Sequence, residues 1–269
     1  MRYVVTLITG IACAALLPAQ TADELVNKNL MAHGGIEKLR ALHSLRTTGR
    51  LQQGSITAQV SMDNMAPNFV RQGFTIMGMT GVEAYDGTSG WRIMPFAGRK
   101  DPEMLGEDDL RAIQDDSDFY GHLVDYKQKG STIEYLGHDT VDGDDVYRLK
   151  VTLKNGDIVY YDLDPETFLE VRTESQVFIH GSVRETFTEM GSYKLVNGVY
   201  MPFAMESGSP RNPNETAKVT VDKIEANIPM DASEFKMPAV PAASSGQAKP
   251  GASKPPLHSQ ATSGKESRS

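Results

Sequence analysis

Methionine and aromatic side chains crowd the stretch from residue 62 to residue 94. The members of this group are Met62, Met65, Phe69, Phe74, Met77, Met79, Trp91 and Met94. A thioether is flexible and polarisable, so it adapts to an apolar partner of variable shape. A surface built from such groups could hold an acyl chain, whose transfer from water is worth about 0.8 kcal/mol per methylene. The competing interpretation is ordinary core packing, because methionine also fills gaps in cores.

Polar residues do not show the spacing of a known catalytic or metal site. The sequence has no Gly-x-Ser-x-Gly, His-Glu-x-x-His, Gly-x-x-x-x-Gly-Lys or dinucleotide-binding pattern. No pair with His-x-x-x-His spacing occurs among His33, His43, His122, His138 and His180. Asp162-x-Asp164-x-Glu166 lacks the glycine of a calcium loop. We therefore predict no enzymatic activity, no metal and no cofactor; an enzyme whose catalytic residues converge only in the fold stays an alternative.

The elements that would position an apolar site read as antiparallel strands with one apolar face. Val146 to Leu153 is the clearest, because four apolar residues alternate with polar ones. Asn155-Gly156 predicts a two-residue type I′ turn, and residues 158 to 161 then return as the partner strand. Such a sheet must cover its apolar side. From these strands and from residues 60 to 94 we predict the apolar cavity lining Val60, Met62, Phe74, Ile76, Met77, Met79, Trp91, Met94, Tyr147, Leu149, Val151 and Leu153.

Helical patterns occur in two places. Thr21 to Glu24 has the spacing of a capping box and precedes a helical pattern that reaches Gly34, and residues 36 to 42 form a short second piece. Residues 101 to 129 carry apolar residues at helical spacings, and their predicted lid residues are Leu110, Ile113, Phe119 and Leu123. Roughly eleven antiparallel strands with helices from both places predict an α+β fold, a sheet curled toward a barrel with a helical lid on its concave side.

Three segments follow from composition. Residues 1 to 19 read as a secretory signal cleaved near Ala19, with cleavage after Ala22 or an uncleaved anchor as alternatives. Lipid anchoring at Cys13, the only cysteine, is not expected, because Gly10 replaces the leucine of a lipoprotein box. Residues 20 to 238 suffice for one domain. Residues 239 to 269, rich in Pro, Ala and Ser, predict a disordered tail, either a tether or plainly solvated.

Charge limits the classes of partner. The net charge is −8, and removal of the basic tail and of Arg2 leaves about −12 for the predicted domain. A protein that binds nucleic acid or an anionic membrane surface is built with the opposite balance. We therefore expect no nucleic-acid partner.

A series of short motifs between residues 21 and 238 resembles the LolA/LolB-like outer-membrane lipoprotein-sorting superfamily, in its broader branch. The order and spacing of these motifs carry the resemblance. They are Tyr85-Asp86-Gly87 with Trp91, Pro95-Phe96 and Gly98; Leu136-Gly137 with Val141-Asp142-Gly143; Tyr161, Leu163, Asp164 and Thr167; Tyr193, Gly198 and Met201-Pro202; and Ile224, Asn227, Phe235 and Pro238.

The resemblance implies an unclosed antiparallel barrel with a helical lid around an apolar cavity, in a periplasmic protein that holds acyl chains of lipids or lipoproteins. It also implies an alternative function, because relatives in this superfamily include periplasmic sensors that dock onto a membrane-anchored regulatory protein. An inner- or outer-membrane partner protein is therefore a second expected partner. The chain departs from the true carriers in its greater length and in its Pro/Ser-rich tail.

Overall fold

The computed structural model describes residues 20–179 and 181–239. The predicted signal peptide and all of the predicted tail except Ala239 lie outside them. The helices are α1 (Ala22–Ala32), α2 (Ile36–Arg40) and α3 (Glu107–Asp116), with short 3₁₀ helices at Pro95–Ala97 and Ala232–Phe235. The strands are β1 (Ser44–Gln53), β2 (Ile56–Met65), β3 (Phe69–Ile76), β4 (Met79–Tyr85), β5 (Gly90–Met94), β6 (Arg99–Met104), β7 (Thr132–Val141), β8 (Asp144–Thr152), β9 (Ile158–Leu163), β10 (Glu170–Ile179), β11 (Ser182–Gly191), β12 (Lys194–Val196), β13 (Val199–Met201), β14 (Ala204–Ser209) and β15 (Asn212–Ala226).

Thirteen of these strands form one antiparallel sheet. Its order is β6-β5-β4-β3-β2-β1-β15-β14-β11-β10-β9-β8-β7, and β12 and β13 form a separate hairpin. The strands β6 and β7 each have a neighbour on one side only, so the sheet is not closed. The predicted antiparallel, unclosed arrangement is confirmed, and the predicted count of about eleven strands is corrected to thirteen.

Two segments differ from what the sequence pattern predicts. β6 runs from Arg99 to Met104, and its residues from Asp101 onward lie in the region that we predicted to be helical. The residues of this strand do not alternate between apolar and polar and they include Pro102, so the sequence lacks the usual strand pattern. An edge strand tolerates this proline, since its missing N–H can face outward. The second segment is interrupted at Pro202, which separates β13 from β14, and these two strands join different sheets.

The turns show one further correction. The β8–β9 connection is not a two-residue type I′ turn, because Leu153 N–H donates to the Asp157 carbonyl and Gly156 N–H donates to the Leu153 carbonyl. Only Gly156, at φ 91°, has a positive φ in this turn. This is a three-residue loop with a left-handed glycine at its end. The sequence identified the hairpin but not the length of its loop.

Each of the two longer helices covers a different part of the sheet. α1 begins with the predicted capping box between Thr21 and Glu24, and its Leu25 and Val26 are buried against the strands β8 and β9. α3 packs at the other end of the sheet, on β3 to β5. In the predicted helical region 101–129, only Glu107–Asp116 is α-helical.

Candidate functional site

The helix-bearing face is the face of the thirteen-stranded sheet on which both α1 and α3 lie. Successive side chains of a strand point to opposite faces, so cross-strand register assigns each residue to a face. Register from Val60 in β2 through β1, β15, β14, β11, β10 and β9 reaches Leu149 in β8 on the same face. Leu149 packs beneath α1, and Tyr85, reached through β3, packs beneath α3.

A glycine in β5 lets α3 approach the sheet. A Cβ on Gly90 would lie 2.7 Å from Leu105 Cδ1 and 3.0 Å from Leu110 Cδ1, so only glycine leaves space for these side chains. Ile113, also in contact at this point, is buried with Val70 and Tyr85. Leu110 and Ile113 were predicted as lid residues, and they are the apolar contacts of α3 with the sheet.

Polar contacts fasten α3 to both ends of the sheet. Arg111 donates two hydrogen bonds of 3.0 and 2.9 Å to the Asp157 carboxylate in the β8–β9 loop, and a third to the carbonyl of Phe178 in β10. At the other end, Arg92 in β5 donates to Asp109 over 2.8 Å. The helix therefore bridges strands that lie far apart in the sheet order.

The segment after α3 continues this bridge without forming a helix. His122 lies 3.0 Å from the Tyr161 hydroxyl and 2.9 Å from the Asp115 carboxylate, so it connects β9 to the end of α3. Leu123, a predicted lid residue, is buried in the core beneath α1. Phe119, the fourth predicted lid residue, packs edge-to-face on Tyr120. The predicted lid is thus one helix followed by an irregular, well-anchored segment.

A buried ion pair anchors α1. His33 Nδ1 lies 2.7 Å from the Tyr200 carbonyl and Nε2 lies 2.7 Å from a Glu170 carboxylate oxygen. Both partners are acceptors, so both ring nitrogens must donate, and the ring is an imidazolium. Burial alone would lower the pKa of His33, but the bond to Glu170 raises the pKa above its ordinary value. Asn29 and Tyr193 also donate to the Glu170 carboxylate.

An accessible apolar surface remains on the helix-bearing face of β2 to β5. Register places side by side Val60, Met62, Phe74, Ile76, Met79 and Met94. Phe96 and Met94 extend over Gly81, where a Cβ would lie 2.7 Å from the Phe96 ring and 2.9 Å from the Met94 sulfur. Met62, Met79 and Phe96 are 36%, 43% and 39% exposed. Neither helix covers these side chains fully.

Two cavities lie beside α3. One of about 230 Å³ lies against β9 to β11 and is lined by apolar groups such as Val159, Val177 and Ile179 together with Arg111 and Asp157. The other, of about 480 Å³, is lined largely by charged side chains. Clefts that bind drug-sized ligands measure about 300–1,000 Å³, so the apolar cavity is small for a lipid.

The remaining predicted cavity residues lie elsewhere. Leu149 and Val151 are fully buried beneath α1, and Tyr147 stacks on Phe168, so protein already occupies that part of the face. Met77 lies in the β3–β4 turn and is 94% exposed. Leu153 borders both cavities.

Trp91 was predicted to line the cavity, and the structure corrects this prediction. As the neighbour of Gly90 it points to the other face, where its indole N–H donates over 2.7 Å to the carbonyl of Phe235. It is 3% exposed. Its pairing with Ala84 completes a small core on that face, so Trp91 anchors the C-terminal 3₁₀ helix and does not line the helix-bearing face.

Residues that the sequence reasoning missed lie in the middle of the helix-bearing face. Hydroxyl groups face each other across strands there, with Ser175 Oγ 2.6 Å from Thr186 Oγ1 and Thr188 Oγ1 2.9 Å from Ser207 Oγ. The face is therefore amphipathic along its width. The sequence signal for the Ser175–Thr186 pair was the turn near residue 181, since a hairpin of β10 and β11 around this turn places the two residues opposite each other.

Acidic residues with a faint calcium pattern have other roles. Asp162 is fully buried and accepts hydrogen bonds from Arg148, and burial raises the pKa of its carboxyl to about 6. Asp164 instead accepts from the turn residues Glu166 and Thr167. Within residues 20–179 and 181–239, no group of three His, Cys, Asp or Glu side chains could hold a metal ion. The same residues contain no helix long and apolar enough to cross a membrane.

Three solved structures are similar to this chain over most of their length. They are a LolA superfamily protein from Nitrosomonas europaea (TM-score 0.56, 12% identity, 81% of this chain and 98% of that one), a DUF1329 family protein from Desulfovibrio piger (0.55, 12%, 80% and 97%) and a putative outer membrane lipoprotein-sorting protein domain from Vibrio parahaemolyticus (0.52, 10%, 78% and 97%). No family model and no curated protein matches the chain. At these identities the likeness establishes the fold, and it confirms the resemblance seen in the sequence: the chain has a LolA-like fold.

Proposed function

We propose that this protein is a periplasmic carrier that binds acyl chains of lipids or lipoproteins on its helix-bearing face, in lipoprotein sorting or lipid transport. The predicted signal peptide supports the location, and the fold shared with a putative outer membrane lipoprotein-sorting domain supports the class of ligand. The function is binding and release, with no catalytic step.

One observation carries the proposal: adjacent apolar side chains of β2 to β5 remain accessible on a face that carries helices. Met62, Met79 and Phe96 belong to this set. Single exposed apolar residues are ordinary, but a contiguous group marks a binding surface. Thioethers and an aromatic ring provide dispersion contacts without any polar group that a hydrocarbon would leave unpaired.

Binding of a whole acyl chain requires movement of α3. The apolar cavity beside this helix measures only about 230 Å³. Its wall includes Arg111 and Asp157, the ion pair that holds α3 against the β8–β9 loop. Release of this contact would join the cavity to the accessible surface of β2 to β5. α3 is part of the predicted helical lid, and we expect this helix to act as the gate.

The experiment that tests the proposal is lipid analysis of the protein purified from the periplasm without detergent. Organic extraction and mass spectrometry should return stoichiometric phospholipid or acylated peptide. A fluorescent fatty acid added to delipidated protein should bind and be displaced by unlabelled fatty acid. An empty protein that also takes up no fatty acid would contradict the proposal.

A pair of methionine variants locates the site. Met62→Asp places a charge on the helix-bearing face and should reduce fatty-acid affinity at least tenfold, because an acyl chain there would desolvate the carboxylate. Met104→Asp is the matched control, since Met104 pairs with Trp91, lies on the opposite face and is 55% exposed. Equal loss of affinity in both variants would exclude the helix-bearing face as the site.

The alternative function is docking onto a membrane-anchored regulatory protein. The open sheet supports it, because β7 presents an unpaired edge of ten residues, from Thr132 to Val141, that could pair with an added strand. A pull-down from envelope extract that returns one stoichiometric protein and no lipid would favour this function over the carrier.

A further inference from the structure

Six hairpin turns of the sheet lie along one edge of the molecule. Because the strands are antiparallel, the β1–β2, β3–β4, β5–β6, β8–β9, β10–β11 and β14–β15 turns share that edge, and the other turns share the opposite one. The first group is here named the turn rim. It borders the helix-bearing face at the end where β2 begins and β3 ends.

The turn rim presents apolar side chains to solvent. Met77 is 94% exposed at the β3–β4 turn, Ile56 is 51% exposed after the β1–β2 turn, and Phe96 is 39% exposed within the β5–β6 turn. Phe178 and Val183 form a cross-strand pair beside the β10–β11 turn and are 57% and 45% exposed. Apolar groups at the tips of four turns on this edge could enter an apolar phase together.

Cations accompany these apolar groups. Exposed basic residues on the turn rim are Arg99, Lys100, Lys154, Arg184 and Arg211. Acidic groups on this edge are fewer: Asp101 lies beside Lys100, Asp157 is bound by Arg111, and Glu103 pairs with Arg99. This concentration of positive charge stands out on a chain whose net charge is −8.

Two turns on the opposite edge are acidic. The β7–β8 and β9–β10 turns carry Asp142, Asp144, Asp145, Asp164 and Glu166, which line one open cleft. Carboxylates in such numbers would be repelled by an anionic surface. The molecule is therefore polarised between the basic and apolar turn rim and the acidic β7–β8 and β9–β10 turns of the opposite edge.

We propose that the turn rim docks on an anionic lipid bilayer, with its apolar tips entering the interface and its cations meeting the headgroups. Each Lys or Arg near such a surface contributes about 1 kcal/mol, and polarisation orients the molecule so that the acidic edge faces away. The net negative charge of the chain argued against binding to anionic membranes. That net charge sums the basic turn rim with the acidic turns, so it does not describe the charge of the turn rim alone. This inference extends the proposed carrier function by naming where cargo would exchange, but its docking step does not require cargo.

The test is co-sedimentation of the purified protein with vesicles at low ionic strength. Phosphatidylcholine vesicles with about 30 mol % phosphatidylglycerol should bind the protein, pure phosphatidylcholine vesicles should bind it weakly, and salt should release it. Absence of binding to the anionic vesicles would overturn the proposal, as would binding that salt does not weaken.

Variants identify the edge responsible. Combined Lys100→Gln, Lys154→Gln and Arg211→Gln substitutions should weaken vesicle binding roughly a hundredfold, about fivefold for each charge. Combined Met77→Asp and Phe178→Asp substitutions should abolish binding to the same vesicles. The matched control is Leu195→Asp with Tyr200→Asp in the β12–β13 hairpin, whose side chains are 60% and 42% exposed away from the turn rim. Control and rim variants that bind equally would overturn the proposal.

The failures of docking and of acyl-chain binding can be told apart. The charge variants retain the accessible apolar surface of β2 to β5, so uptake of a fluorescent fatty acid from solution should be unchanged. They also retain the basic tail, so persistent binding to anionic vesicles would assign the contact to the tail and overturn the rim proposal. A cross-linking experiment that finds the acidic edge in contact with anionic vesicles would also overturn the rim proposal.

Discussion

The two ends of the helix-bearing face differ in how completely protein fills them. Beneath α1, at the β8 and β9 end, Leu149, Val151 and Leu163 have no exposed surface. At the β2 to β5 end, α3 covers Val70 and Tyr85 but leaves Met62 and Met79 accessible. The same apolar alternation in the sequence therefore produced a finished core at one end and an open surface at the other. Apolar periodicity identifies a face that will be covered, and it does not say by what.

The largest expected effect on stability is at the filled end of the face, beneath α1. Leu149→Ala should lower the free energy of unfolding by about 4 kcal/mol, because it leaves a cavity among fully buried neighbours. Met79→Ala, at the accessible end, should change it by about 0.5 kcal/mol or less, since the side chain is 43% exposed. Urea unfolding followed by circular dichroism measures both. Similar losses in the two variants would mean that the ends do not differ in the way described.

The second prediction concerns the ion pair that holds α1 over the filled end. His33→Gln should cost about 2–3 kcal/mol of unfolding free energy, because Glu170 loses a charged partner in a buried site. The loss should appear in urea unfolding near pH 6. Asp125→Asn, which breaks the exposed Arg40–Asp125 pair, is a control expected to cost less than about 1 kcal/mol.

The same pair predicts a pH dependence of stability. The pKa of His33 is raised in the folded state, so its contribution is complete below the ordinary histidine pKa of about 6.5 and is lost as pH rises through the folded value. Burial opposes ionisation of Glu170, but His33 holds the pKa of Glu170 below its ordinary value, so that contribution is lost only as pH falls through this lowered value. Unfolding free energies of the native protein should therefore fall as pH rises above the ordinary histidine pKa of about 6.5. The His33→Gln variant should show a smaller fall above this pH.

The third prediction uses the opposite face of the accessible end. Trp91→Phe should cost about 1–2 kcal/mol, because the buried Phe235 carbonyl loses its hydrogen bond from the indole. Fatty-acid affinity should not change, since Trp91 lies on the other side of the sheet from Met62 and Met79. A titration with fluorescent fatty acid checks this. An altered affinity would show that the two faces of this end are coupled.

Local alternation and turn chemistry sufficed to predict much of the fold. The strand from Val146 to Leu153 and the helix after Thr21 follow from residues that interact within a few positions of each other. β6 was missed because an edge strand does not need to alternate between apolar and polar residues.

The candidate site was predictable only in part. Val60, Met62, Phe74 and Met79 were found because they alternate within their own strands. Trp91 was assigned to the wrong face because a bulky aromatic residue suits either face of a sheet. Gly90 lies directly beneath α3, so the neighbouring Trp91 side chain must point to the opposite face. The polarised edges could not be predicted, because turns that are well separated in sequence reach the same edge only after the sheet is assembled.

The last prediction, with the smallest expected change in stability, concerns the contact between Arg111 of α3 and Asp157. Arg111→Met keeps the aliphatic stem of the side chain but removes the bonds to Asp157 and to the Phe178 carbonyl. Asp157 keeps the Asn155 amide as a donor, so the unfolding free energy should fall by only about 1 kcal/mol. If α3 is the gate, stopped-flow fluorescence should show a severalfold faster association of fatty acid. Arg40→Met, which breaks a more exposed pair with Asp125 outside α3, should leave that rate unchanged. An unchanged rate in Arg111→Met would mean that the accessible end admits its ligand without movement of α3.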